Sequence, residues 1–396
     1  MHLTTEQERT LEGEDGPAAA KLLELLVALG EVFDAESLVP VESAHVSGVS
    51  YKNLGEAGLE WLEELAGLGA RAKITATLNP AGMDMEAWRE MGVPEEFAMG
   101  QVRVIDAFRK IGVEPTCTCT PYLVGFVPGF GSQVAWAESS AVCYVNSVLG
   151  ARTNRESGPT TLASTVMGLA AFYGYRLDEN RRPGAIVNVE ARPSSTMDYS
   201  ALGYIIGRAL GTTVPYFRGL GVPGLEQMKA LGAACATSGG IALWHGEGVT
   251  PEAKEMEEHL AGLEELSVDR PMIETERERL SAPLFDPIIA LGCPHSTLGE
   301  LGEIAALVRG RDLAGRLWVF TSRGVYAEAE RAGFVRAIVK AGGRVYRDTC
   351  MVVAPLRELG WEEVATNSFK AGHYLSSMGM RTRMGTIREL LGDAPR

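Results

Sequence analysis

The strongest constraint on the fold lies near the C-terminus. There the apolar run RLWVF, an amphipathic stretch from Tyr326 to Ala341 and the segment GGRVYRDTCMVVAPL follow one another. Short β-branched and aromatic runs on either side of helically spaced apolar residues read as strand, helix, strand. A connection of that length is no hairpin, so the two strands lie parallel, with the helix crossing one face of the sheet in the right-handed sense. Open parallel sheets of this kind bind ligands beyond the carboxyl ends of their strands. Cys350, after the Gly342-Gly343 turn, falls at such a place.

The same alternation runs through the rest of the chain. Thr5 to Glu8 fits a capping-box start, AAAKLLELLVALGEVF after Gly16-Pro17 has helical spacing, and Leu38 to Val41 is β-like. Gly55 to Leu68 reads as helix, RAKITATL as a strand ending at Asn79, and the segments around Ala87 to Met91 and Pro94 to Ile111 as helices. No repeat of fixed period and no low-complexity linker interrupts them. The 396 residues therefore form one α/β catalytic unit, 1–396, with subdomains expected at 1–155, 156–300 and 301–396.

Composition excludes some classes of function. Charged residues make up 22% of the chain, and no run approaches the roughly 18 apolar residues of a spanning helix, so no membrane association is expected. The N-terminus MHLTTEQERTLEGEDG is acidic and carries no secretory pattern, which points to the cytoplasm. A net charge of −14 opposes phosphate backbones and anionic lipid, so no nucleic acid partner is expected. A small anionic substrate remains compatible, because a few local cations dominate the field inside a pocket. Lys370, Arg381, Arg383 and Arg388 make the last stretch locally basic.

Six cysteines are too few for a disulfide scaffold and read as free thiols or ligands. Cys117 and Cys119 lie in TCTCTPY, where Pro121 fixes a turn; Cys293 lies in GCPH between a permissive glycine and a rigid proline. With Cys350 these are loop-borne thiols far apart in sequence, unlike the two close pairs of structural zinc. Three thiolates could hold a cubane and leave one iron open; equally, they could be small core residues. Cys143 and Cys235, in apolar helix-like runs, read as core.

The string WAESSAVCYVNSVLGARTNRESG sets Glu138, Ser139, Asn146, Arg152, Thr153, Asn154 and Arg155 among Ala, Val and Gly. Buried polar groups must be paired, so this density means either an internal hydrogen-bond network or a lined pocket. Arg152 and Arg155 could fork onto a carboxylate or phosphate. SAHVSGVSYKN adds His45, Ser47 and Lys52, TLNPAGMD adds Asn79 and Asp84, and NSFKAGHY adds Lys370 and His373. No phosphate-binding P-loop, dinucleotide fingerprint or nucleophile elbow is present in the sequence.

The strings SAHVSGVSYKNLGEAGLEWL, ATLNPAGMD, CTCTPYLVG, AWAESSAV, NSVLGARTNRESGP, ALGCPHSTLGEL and DTCMVVAPL run in order from Ser43 to Leu356, and together they resemble the aconitase X large subunit. The resemblance implies an aconitase-like α/β fold, several subdomains around a central iron-sulfur cleft, lacking the swivelling domain that a small partner subunit supplies. It implies Cys119, Cys293 and Cys350 as ligands of a 4Fe-4S or 3Fe-4S cluster, with Cys117 able to substitute for Cys119. It implies a hydro-lyase in which iron is the Lewis acid. The substrate would be mevalonate 5-phosphate, dehydrated to trans-anhydromevalonate 5-phosphate, or else cis-3-hydroxy-L-proline; GVSYKNLG and TLNPAGMD favour the former. The base is expected from a serine of the partner subunit. Within this chain His45, Ser47 and Glu138 are the catalytic candidates. Lys52, Asn79, Ser139, Asn146, Arg152, Thr153, Asn154, Arg155 and Lys370 are the substrate-binding candidates, and Glu138 or Asp84 would meet the ammonium of a proline substrate. A cluster-free protein that binds a small-chain partner is the alternative from another class.

Overall fold

In the computed structural model, which describes residues 1–392, helices and strands alternate through three units, each built on its own parallel sheet. The first sheet has the order Thr75–Leu78, Ser43–Val46, Ala135–Trp136. An irregular segment continues its edge, where Glu114 bridges Thr77 and the Thr118 N–H donates to the Leu78 carbonyl at 2.9 Å. Helices Pro17–Val32, Tyr51–Gly67, Glu95–Ile111 and Gly158–Met167 bury Leu22, Leu62, Phe108 and Leu162 against it. The first helix begins one residue earlier than the sequence pattern suggests. Thr4 is the N-cap, its side chain accepting from the Gln7 N–H while the Gln7 side chain accepts from the Thr4 N–H.

In the second unit the sheet runs His245–Gly246, Pro215–Arg218, Ala185–Val189, Glu264–Val268. Its helices Thr196–Leu210 and Leu225–Ser238 approach closely, because a Cβ at Gly207 would stand 2.7 Å from the Cys235 carbonyl oxygen. This packing buries Cys235, and Cys143 from the helix Ser139–Ser147, in one core.

The third sheet, in the order Arg344–Arg347, Leu317–Thr321, Ile288–Leu291, Glu363–Thr366, Arg381–Met384, is parallel throughout. Its inner strands IIAL and LWVFT are buried at every position, as expected of a sheet covered on both faces. One face carries the helices Leu298–Leu307, Arg323–Arg331 and Phe334–Lys340. The other packs Trp318, Phe320 and Tyr346 against Met83 and Met91 of the first unit, which locks the two units together. Leu317–Thr321 and Arg344–Arg347 pair in parallel, as their spacing requires. The amphipathic stretch between them is two helices rather than one, broken at Gly333 in the left-handed conformation (φ 80°). Strand pairing assigns Ile288–Leu291 to the third sheet, and packing assigns Gly158–Met167 to the first unit. The first break therefore comes later in the chain than 155 and the second earlier than 300. Among the described residues no helix is long and apolar enough to cross a membrane.

Candidate active site

Strands of the first and third sheets end on one cleft of about 450 Å³. Ser47 follows Ser43–Val46, Asn79 follows Thr75–Leu78, and Glu138 and Ser139 follow Ala135–Trp136. From the third sheet Cys293 follows Ile288–Leu291, Cys350 follows Arg344–Arg347, and Lys370 follows Glu363–Thr366. Cys119 enters at the end of the irregular edge segment, just before the turn Pro121–Leu123. All of these positions lie beyond carboxyl ends of parallel strands, where loop backbones open outward and side chains from separate strands converge.

The three thiols reach the cleft from loops far apart in sequence, and none forms a disulfide. Gly292 places Cys293 by taking φ 97° directly against the Phe320 carbonyl, where no Cβ fits. Burial pushes Cys350 up to about 12, with the neighbouring Cys293 adding to it. Cys119 and Cys293 are likewise raised, chiefly by burial, while Lys370 pulls both back. Such thiols do not ionise together unless a cation takes up their charge. Among the described residues no three Cys, His, Asp or Glu side chains close around a single ion. Cys117 does not share the cleft. Its side chain is 1% exposed and belongs to the core of the first unit.

Opposite the thiols stands a buried ion pair. The Lys370 ammonium donates to Glu138 Oε1 in a very short contact and lies 3.5 Å from Ser140 Oγ. Glu138 Oε1 also accepts from the Ser140 N–H at 3.3 Å and its hydroxyl at 3.0 Å, and Oε2 accepts from Asn79 Nδ2 at 2.9 Å. Burial alone would raise the Glu138 carboxyl, but Lys370 and Ser140 hold it down to about 2. Burial opposes the charge on Lys370 too, and Glu138 more than offsets it, so the ammonium persists well above its usual range. Glu138 is thus a carboxylate that fixes a buried cation, with Oε1 taken up by Lys370 and Ser140 and Oε2 accepting from Asn79.

Other expected positions lie elsewhere. His45 is completely buried behind Asn79, its Nδ1 2.7 Å from Thr77 Oγ1, and burial lowers it to about 4. The ring is not part of the cleft lining. Lys52 pairs with Glu358 at 3.1 Å and is not part of the lining. Asp84 serves as a loop anchor, accepting from the backbone of Glu86, Ala87 and Arg347, each at 2.9 Å.

The Arg-rich string is an internal network rather than a pocket wall. Asn146 bonds both backbone groups of Thr153 and the Ala242 carbonyl, and the Thr153 hydroxyl accepts from the Trp136 N–H. Asn154 spans Tyr173 and Tyr175, Arg155 donates to the Gly240 carbonyl, and Arg152 donates to the Arg176 carbonyl and pairs with Asp178 at 2.5 Å. These side chains satisfy backbone groups at the junction of the first and second units, and none lines the cysteine cleft. The reading from sequence missed Asn53 and Tyr374, which do. Tyr374 had an available signal, being four residues after Lys370 and so on the same helix face. Asn53 had none, since it lies in the short helical piece 51–54 that precedes the break at Gly55, ahead of the apolar spacing that marks the helix.

Comparison with known proteins agrees with this architecture. Residues 1–179 match the family model of the aconitase X first domain, 183–278 the second domain and 287–396 the third. The phosphomevalonate dehydratase large subunit of Methanothermobacter thermautotrophicus is 50% identical over 379 residues, covering 96% of this chain and 94% of that one. That of Methanocaldococcus jannaschii is 45% identical, covering 99% of each. Cis-3-hydroxy-L-proline dehydratase of Pseudomonas aeruginosa is 34% identical, covering 92% of this chain but 64% of the longer relative. A crystal structure of Thermococcus kodakaraensis aconitase X in its holo-form superposes with a TM-score of 0.94 at 42% identity over the whole of both chains. The fold is the aconitase-like α/β arrangement, and the chain belongs to the aconitase X family.

Proposed function

We propose that this chain is the large subunit of a two-subunit, cytoplasmic iron-sulfur hydro-lyase that dehydrates mevalonate 5-phosphate to trans-anhydromevalonate 5-phosphate. The observation that carries the reading is the convergence of Cys119, Cys293 and Cys350 on one cleft beside the Lys370 ammonium. The relatives named phosphomevalonate dehydratase large subunit support the substrate and the need for a small partner, which would be the swivelling domain. They reach 50% and 45% identity, against 34% for the proline-type relative.

The donor set fits the cofactor. Three soft thiols with no disulfide, Cys119 and Cys350 buried and Cys293 half-buried, suit an iron-sulfur cluster of the 4Fe-4S or 3Fe-4S type. When bound, such a cluster supplies a Lewis acid that helps hydroxide leave. The residues of the chain do the rest. Lys370, held by Glu138, meets an anionic end of the substrate, and the N-terminus of the helix Ser139–Ser147 adds its partial positive charge at the same wall. Ser47, Asn53, Asn79 and Ser139 offer hydrogen bonds that fix orientation, which is worth about 7 kcal/mol or more of barrier when complete. Glu138 Oε1 is taken up by Lys370 and Ser140 and the carboxyl is held down to about 2, which makes it a weak base, so the proton acceptor is Ser47 or, by preference, a serine of the partner subunit. A proline substrate would bring an ammonium into a cleft whose carboxylate is already paired, which disfavours that reading.

The test is anaerobic reconstitution of the chain with iron and sulfide, with and without a small subunit of the aconitase X family, followed by assay on both substrates. Water loss from mevalonate 5-phosphate by the complex alone is expected. Equal turnover by the isolated chain, or turnover of the proline substrate only, overturns the assignment.

A further inference from the structure

His295 engages every one of its polar atoms, and three of the four partners lie in the loops that carry the other two cysteines. Its ring is completely buried. Nδ1 lies 3.0 Å from the hydroxyl of Thr118, the residue before Cys119. Nε2 lies 2.8 Å from the carbonyl oxygen of Thr349, the residue before Cys350. The His295 N–H donates to Cys119 Sγ at 3.2 Å, and the His295 carbonyl accepts from the buried Lys229 ammonium at 2.8 Å. Cys293 sits two residues before it on the same loop.

The chemistry of the partners fixes the direction of each bond. A carbonyl oxygen only accepts, so Nε2 carries the proton and donates to Thr349. In the neutral imidazole Nδ1 is then the acceptor, so the Thr118 hydroxyl donates to it while accepting from the Thr120 N–H at 3.1 Å. One ring thus spans two chain segments that come from different units of the fold. Lys229, on a helix of the second unit, draws in the Pro294 and His295 carbonyls and pairs with Glu300 at 2.7 Å, so the GCPH loop is held from behind as well.

We propose that His295 is the positioning residue of the cysteine site: a single imidazole ties the Cys119 and Cys350 loops together while its own backbone carries Cys293 and reaches the Cys119 sulfur. The proposal rests on the reading of the three cysteines as the ligand set. Residues that orient ligands and hydrogen-bond their sulfurs control how tightly a metal centre is held and how it is tuned. Rotation of this ring would release both neighbouring loops at once.

The test uses the full chain in two forms. In the apo chain, amide hydrogen exchange is followed in the peptides around Cys119 and Cys350. Asn at position 295 offers its amide near Nδ1, and Gln offers its amide near Nε2. His295→Asn is therefore expected to loosen the Cys350 loop and leave the Cys119 loop protected, and His295→Gln to do the reverse. Thr118→Val, which leaves the histidine in place, should loosen the Cys119 loop alone. In the reconstituted chain, loss of visible absorption to a chelator should be on the order of fivefold faster for each tether removed, the rate expected from one hydrogen bond. A packing role alone would not separate Asn from Gln. Exchange that is the same in both loops across the three variants overturns the proposal, as do loss rates within about twofold of the parent, less than one hydrogen bond. If the parent chain takes up no cluster at all, the functional reading above falls, and the exchange measurement still decides the role of His295.

Discussion

Replacing Glu138 by Gln removes one negative charge while keeping size and shape, and the structure sets what that costs. The carboxyl is held at about 2 against an ordinary 4.5, which corresponds to about 3 kcal/mol of stabilisation. A second route gives the same size. Lys370 is 9% exposed, and leaving a buried ammonium without its counterion costs about 3 to 5 kcal/mol. The sign with pH follows from linkage. A carboxyl depressed in the folded state stabilises fully above its unfolded value of about 4.5 and loses that contribution as pH falls towards 2. The deficit of Glu138→Gln is therefore expected to be about 3 kcal/mol at pH 7 and to shrink steadily below pH 4.5. Removing both charges in Glu138→Gln with Lys370→Met should recover part of the loss, because no buried charge is left unpaired. Urea unfolding of the apo chain, read through the transition that reports this cleft, measures all three variants. A Glu138→Gln cost within about 0.5 kcal/mol, the size of an ordinary surface change, refutes the reasoning, as does a double variant no more stable than the single one.

Serine at Cys119, Cys293 or Cys350 is expected to abolish visible absorption and iron retention after reconstitution, whereas serine at Cys117, Cys143 or Cys235 should keep both; colour surviving at any of the first three removes it from the ligand set. Arg152→Lys should leave KM for substrate unchanged and cost about 1 kcal/mol of stability, since what it loses is a hydrogen bond to the Arg176 carbonyl. A raised KM would return Arg152 to the site. Burial depresses His45 from 6.5 to about 4, so the unfolded chain binds the extra proton in that window and stability should rise with pH from about 4 to 6.5. His45→Gln should flatten that part of the stability profile, and an unchanged slope would show the ring already charged or exposed.

Much of the architecture was legible because its signals are local. The parallel pair at Leu317–Thr321 and Arg344–Arg347 follows from connection length, and the site cysteines stood out through Pro121 near Cys119, Gly292 and Pro294 around Cys293, and the strand-end place of Cys350. Local signals also set the errors. Thr4 and Thr5 compete for the same cap, and only the position of Gln7 decides between them. Gly333 sits inside a convincing amphipathic period and breaks it. The cluster at Asn146 to Arg155 was recognisable as polar groups that must be paired, but its partners are backbone carbonyls at Ala242, Gly240 and Arg176, remote in sequence and invisible as residue types. Cysteine announces itself by chemistry; a structural arginine and a substrate-binding arginine do not.

The same distinction explains Glu138. In sequence it was an acid among small residues and so a candidate for proton transfer; in the fold it holds a lysine ammonium, a serine and an asparagine, and the first two keep its carboxyl at about 2. A cleft with three thiol donors and a bound anion accumulates negative charge. It therefore requires a cation that stays protonated although buried, and burial works against the charge of Lys370. A carboxylate that is itself held by Asn79 and Ser140 supports that charge. On the functional reading proposed above, the pair is neutral in sum and both of its side chains line the cleft, so an anionic substrate would meet the Lys370 ammonium with Glu138 beside it. Selectivity for an anion would then depend on Glu138 remaining charged and holding that ammonium, although Glu138 itself bears the same sign as the substrate.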